Sequence, residues 1–70
     1  MGLTLKQYRA NAGWSVTRMA KEAGLSRDAV EKAEKGTPIR AETAWRIAQA
    51  LSKRLDEKVL VSDIEGISII

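Results

Sequence analysis

The spacing of Ala20, Gly24 and Val30 constrains this chain more than any other feature, because it sits in a stretch, Ser15 to Gly36, that reads as two short helices pinned across a tight turn. Ser15 can cap the orphan amides of the first helix, whose Met19, Ala20 and Ala23 recur at i, i+1 and i+4 on one face. Gly24 offers the left-handed conformation that ends a helix without steric cost. Leu25 can then plug the core and Ser26 can cap a second helix, Arg27 to about Lys35. Ala20 has to be small, since helices that meet steeply next to a short turn leave no room for a larger side chain.

At about 100° per residue, Ser26, Ala33 and Glu34 fall near Val30 on the inner face of the second helix, and Asp28, Glu31, Lys32 and Lys35 fall outside it. A small residue, a turn glycine four positions on and a branched apolar residue six beyond that describe a helix-turn-helix. Upstream, Thr4 and Gln7 form a capping-box pattern that opens a helix with an apolar stripe of Leu5, Tyr8 and Ala12, ending at Gly13. Tyr8 and Trp14 read as packing residues, with Trp14 filling the corner between the first two helices. Base-stacking platforms present several aromatics together on a basic groove, and this chain has three in all.

Downstream, Thr37 and Pro38 break the chain and a fourth helix follows near Arg40. Its inner stripe is Ala44, Ile47, Ala48 and Leu51, and it is expected to end around Leu51 or Ser52. Trp45 lies beside the stripe as either a core filler or part of a partner-facing patch. Lys53, Arg54, Asp56 and Glu57 make a polar connection to extended chain at Val59 and Val61. Ser62 to Glu65 then repeats the capping-box pattern and predicts a short fifth helix at 62–65. Gly66 releases Ile67, Ile69 and Ile70, which either fold back onto the core or meet another copy. The expected fold is all-α: a compact bundle of four main helices plus a short C-terminal fifth. Residues 1–66 form the domain, and 67–70 form an apolar tail available as a dimer contact.

Composition narrows the function further. Seventy residues make one small domain with a modest core. With no cysteine there are no disulfides, thiolate chemistry or cysteine-bound zinc, which fits a reducing cytoplasm. No window approaches the roughly 18 consecutive apolar residues of a membrane span, so a soluble cytoplasmic chain is expected. Without His or Cys, and with carboxylates scattered among lysines, neither a catalytic site nor a metal or cofactor site is expected. The net charge is +3, unevenly divided: residues 1–40 hold eight Lys or Arg against four acids, residues 41–70 four against five. The half that carries the helix pair is the basic half, and a basic patch attracts phosphate.

The sequence resembles the Cro and lambda-repressor-like family, the XRE-type helix-turn-helix regulators, over residues 3 to about 65. The resemblance rests on LKQYR at 5–9, GWS at 13–15, the Ala20, Gly24 and Val30 triplet, EKAEKG at 31–36 and TAWRIAQAL at 43–51. It implies a lambda-repressor-like domain whose second motif helix, Arg27 to Lys35, lies in the major groove of DNA. Family members pair an arginine and a glutamate at the positions of Arg9 and Glu34, which marks these two as a structural pair. The positions that face bases correspond to Arg27, Asp28 and Lys32, with Ser26 at the edge. Arg27 or Lys32 would donate to guanine and Asp28 would accept from cytosine. Lys35 and Arg40 are candidate phosphate contacts.

One family feature is missing. Where a glutamine that grips the DNA backbone is frequent, this chain has Val16, so a phosphate contact there rests on the backbone amide, Ser15, Thr17 or Arg18. Two acid-to-base pairs at i,i+4, Asp28 with Lys32 and Glu31 with Lys35, also offer a purely helix-stabilising account of the outer face. The resulting expectation is a sequence-specific regulator of transcription, a repressor, acting as a homodimer on a two-fold site in double-stranded DNA. The alternative is a protein-interaction module or antitoxin-type partner-binding protein that keeps the same fold and uses Trp45 and the Ile67 to Ile70 surface.

Overall fold

The structure is a computed structural model that describes residues 2–70. It contains β1 (Leu3–Thr4), α1 (Leu5–Ala12), α2 (Val16–Ala23), α3 (Arg27–Glu34), α4 (Ala41–Leu55), a 3-10 turn (Val61–Asp63) and β2 (Ile64–Glu65). Each of the first three helices begins at a side-chain cap. The hydroxyls of Thr4, Ser15 and Ser26 accept from the amides of Gln7, Arg18 and Ala29 at 3.2, 3.1 and 3.2 Å. Gln7 completes its box by accepting from the Thr4 amide at 2.9 Å. These contacts satisfy donors that a helix start would otherwise leave orphaned.

The core lies where the four helices converge. Leu5, Met19, Val30, Ile47 and Leu51 are its largest fully buried side chains, joined by Tyr8, Ile39, Val59 and Ile64. Trp14 and Leu25 pack against this cluster half-buried.

Three parts differ from the sequence expectation. α4 continues to Leu55, because the half-buried Leu55 extends the inner stripe by one more turn. It ends at Asp56, which takes a left-handed conformation (φ 53°) and donates its amide to the Ser52 carbonyl. Trp45 is not a core filler, since 57 % of it is exposed.

The third difference is the fifth helix, in whose place there is only the 3-10 turn at Val61–Asp63, followed by extended chain. The cap forms earlier than expected, with the Asp63 carboxylate accepting from the Leu60 amide at 2.9 Å. Four residues are too few to repay helix nucleation. Ile64 and Glu65 instead pair in parallel with Leu3 and Thr4, which buries Ile64 in the core. The approach is close enough that a Cβ on Gly2 would collide with the Asp63 carbonyl oxygen. The fold is therefore mostly helical with a small strand pair.

The return from α4 is latched by Ser52, whose hydroxyl donates to the Ala48 carbonyl at 2.8 Å and accepts from the Val59 amide at 2.9 Å. The last residues fold back beside the α3–α4 loop. The Ile39 amide donates to the Ser68 carbonyl at 2.9 Å, and the Ile70 amide donates to the Ile39 carbonyl at 2.8 Å. Ile67 packs on the core, while Ile69 and Ile70 remain exposed.

Candidate nucleic-acid interface

The α2–α3 turn is held by two backbone hydrogen bonds. The Gly24 amide donates to the Lys21 carbonyl at 3.2 Å and the Leu25 amide to the Ala20 carbonyl at 2.8 Å. Gly24 sits at φ 69°, where a Cβ would be strained and would also press on the Arg46 guanidinium at 3.3 Å. Ala20 and Val30 are both buried and belong to the one core cluster, as the helix-turn-helix spacing requires.

A second anchor fixes the far end of α3. The Arg9 guanidinium donates from Nε to Glu34 Oε2 at 2.6 Å and from Nη2 to Oε1 at 3.3 Å. Its Nη1 donates to the Trp14 carbonyl at 3.1 Å. One arginine thereby joins α1, the α1–α2 corner and α3. The two side chains retain 17 % and 14 % exposure, so the pair is half-buried and still touches water.

With Val30 and Ala33 turned inward, α3 presents Arg27, Asp28 and Lys32 to solvent, and Lys35 is exposed at its C-cap. Ser26 is exposed as well, not inward as its helical phase suggests, because as the cap it stands outside the helical backbone (φ −79°, ψ 157°). Two ion pairs lie along this face: Lys32 with Asp28 at 3.2 Å and Arg27 with Glu31 at 3.6 Å. Glu31 thus takes Arg27 in place of Lys35. Among the described residues, Lys35 makes no ion pair. The face carries three cations and two acids, and exposed pairs of this kind contribute only about 0–1 kcal/mol each. An incoming acceptor can replace the carboxylate at small cost.

On α2, Ser15, Thr17 and Arg18 are exposed at or beside the helix start, where the amides of Val16 and Thr17 have no intrahelical acceptor. Arg18 is engaged with Glu22 at 2.8 Å. Arg40 is exposed at the start of α4 and has no side-chain cap bond. Lys21, which the sequence reading omits, lies one turn beyond Thr17, exposed and without an ion pair among the described residues. The i,i+4 spacing from Thr17 was the available signal.

The described residues hold no group of three or more His, Cys, Asp or Glu that could bind a metal, and no helix long and apolar enough to cross a membrane. Against known families, residues 5–58 match the profile described as helix-turn-helix. No curated protein and no solved structure matches the chain.

Proposed function

The chain belongs to the helix-turn-helix family of the Cro and lambda-repressor type, a DNA-binding regulatory family and not an enzyme family, and from that premise we propose a sequence-specific repressor that reads double-stranded DNA with α3. The observation that carries this reading is the division of α3 into two faces. One face, Val30 and Ala33, is buried against the domain, and the other offers Arg27, Asp28 and Lys32 on a helix fixed at both ends. A rigid exposed helix of this kind fits the major groove, where arginine or lysine selects guanine and an acid selects cytosine. Lys35, Arg40, Thr17 and the first amides of α2 would meet phosphates on either side.

The mixed charge of the face has a role in this scheme. On non-cognate DNA, Asp28 and Glu31 oppose phosphate and keep Arg27 and Lys32 occupied, which lowers the sequence-independent part of the affinity. At a cognate site the cations exchange their carboxylates for base acceptors. Repression then follows from occupancy of a two-fold site in the cytoplasm by two copies, with reading helices roughly 34 Å apart. The exposed Ile69 and Ile70 are the proposed contact between copies.

The test is selection from a randomised duplex library at about 150 mM salt, where weak phosphate attraction is suppressed. An enriched palindrome supports specific reading by a dimer. A pool that stays random, with all retention lost as salt rises, overturns it.

A further inference from the structure

We propose that the trough between α2 and α4 docks an acidic protein segment with an apolar anchor, on a face away from α3 that meets the DNA-assigned start of α2 only at Arg18. Two open hollows of about 410 and 300 Å³ share Glu22, Ala50 and Lys53 and so form one trough, with Trp14 lining the first and Trp45 the second. Trp45 leaves 57 % of its surface in water although the same helix buries Ala44, Ile47 and Ala48 completely. A large exposed aromatic in a hollow that the small Ala50 also lines leaves apolar surface that a partner's apolar side chain can cover and exclude from water.

The charges around the trough select the partner. Arg18 is neutralised by Glu22 at 2.8 Å and Arg46 by Glu42 at 3.0 Å. Lys53 and Arg54 have no acidic partner among the described residues, and the trough is left positive by these two. Cations suit the C-terminal end of any helix, but that does not account for a tryptophan exposed in the hollow that Lys53 also lines. Acidic groups on a partner would complement Lys53 and Arg54 while its apolar anchor covers Trp45.

Nucleic acid is the poorer occupant. Glu22 lines the trough and sets a carboxylate against any phosphate there, and at 100° per residue it lies about 140° around α2 from Thr17, so the trough meets the start of α2 only at Arg18, which Glu22 already pairs. From Trp45 to Arg54 α4 rises about 13–14 Å and turns through about 180°, so the trough crosses the helix from Trp45 at one margin to Arg54 at the other, a span that suits a segment of two to three helical turns. Such a segment can bind while α3 remains free.

The full chain should be screened against a displayed library of random peptides about twelve residues long, chosen to exceed the trough's length. Enrichment of peptides that combine several Asp or Glu with an aromatic or leucine is expected. Binding of a selected peptide should fall at least about tenfold in Trp45→Ala and in the double variant Lys53→Glu with Arg54→Glu. A peptide with its acids changed to lysines should regain affinity for the double variant. Should Trp45→Ala fail to fold, the charge-reversal pair decides alone. An unenriched pool, selected peptides without acids, or unchanged binding in the double variant overturns the proposal. So does a double variant that loses duplex DNA while keeping the peptide, since that outcome places DNA on this face.

Discussion

Arg9 grips both carboxylate oxygens of Glu34, at 2.6 and 3.3 Å, and so ties the first helix of the domain to the last turn of the helix assigned to DNA. The pair is half-buried, which places it between exposed pairs of about 0–1 kcal/mol and enclosed ones whose one-sided removal costs about 3–5 kcal/mol. Arg9→Ala and Glu34→Ala are each expected to destabilise the domain by about 1–3 kcal/mol in urea unfolding. The double variant should cost less than the two singles combined. Additive losses would show that the bonds contribute no coupling.

Within α3 and its flanks the two proposed kinds of contact, to bases and to phosphates, would separate by their effect on sequence preference. Arg27→Ala and Lys32→Ala should each relax preference at a particular base by about 1–3 kcal/mol, measured on single-substitution variants of the selected site. Lys35→Ala and Arg40→Ala should weaken all sequences alike and reduce the slope of log K against log salt by about one. A uniform loss from Arg27→Ala would move that residue to the phosphates.

Asp56 is the only non-glycine residue at positive φ among those described, and it places a carboxylate at the C-terminal end of α4. Both the backbone conformation and the helix dipole disfavour it. Asp56→Gly should raise stability by about 0.5–1 kcal/mol, read as an increase in Tm. No gain would mean that the aspartate is held by something beyond its backbone.

The single tyrosine gives the domain an alkaline limit. Burial of the Tyr8 ring raises its phenol above the ordinary value of 10.0, and the carboxylates of Asp63 and Glu57 raise it further. As pH passes 10 the unfolded chain releases this proton before the folded one does, so the native state holds more protons and stability falls as pH rises. The contribution is intact below pH 10 and is lost as the folded phenol ionises. In urea titrations above pH 10, Tyr8→Phe should lose less stability than the parent chain, and parallel curves would show that Tyr8 does not control the slope.

Most helix starts were legible because their determinants are local. Thr4, Ser15 and Ser26 each act on an amide three residues ahead, and Gly24 needs nothing distant to take its left-handed turn. The end of α4 was harder to read, since Asp56 is not a usual stop and Leu55 is retained by contacts from elsewhere in the fold. Ile64 and Glu65 gave no local sign of pairing with Leu3 and Thr4, and a capping pattern pointed to a helix instead. The outward face of α3 followed from its phase. The exposure of Trp45 did not, because a residue at the margin of an apolar stripe goes inward or outward according to what the neighbouring helices leave room for. The exchange of Lys35 for Arg27 at Glu31 is a rotamer choice on an exposed helix, beyond the resolution of spacing.

The parallel pairing of Leu3 with Ile64 joins positions 61 apart, whereas α2 and α3 are separated only by their turn. At roughly 5–20 residues per second of synthesis, about 3–12 s pass between the making of the first strand and the making of its partner. On a nascent chain, the helix pair assigned to the operator therefore has all its residues in hand seconds before the strand that closes the domain exists. Through that interval Leu3 has no strand partner to pair with.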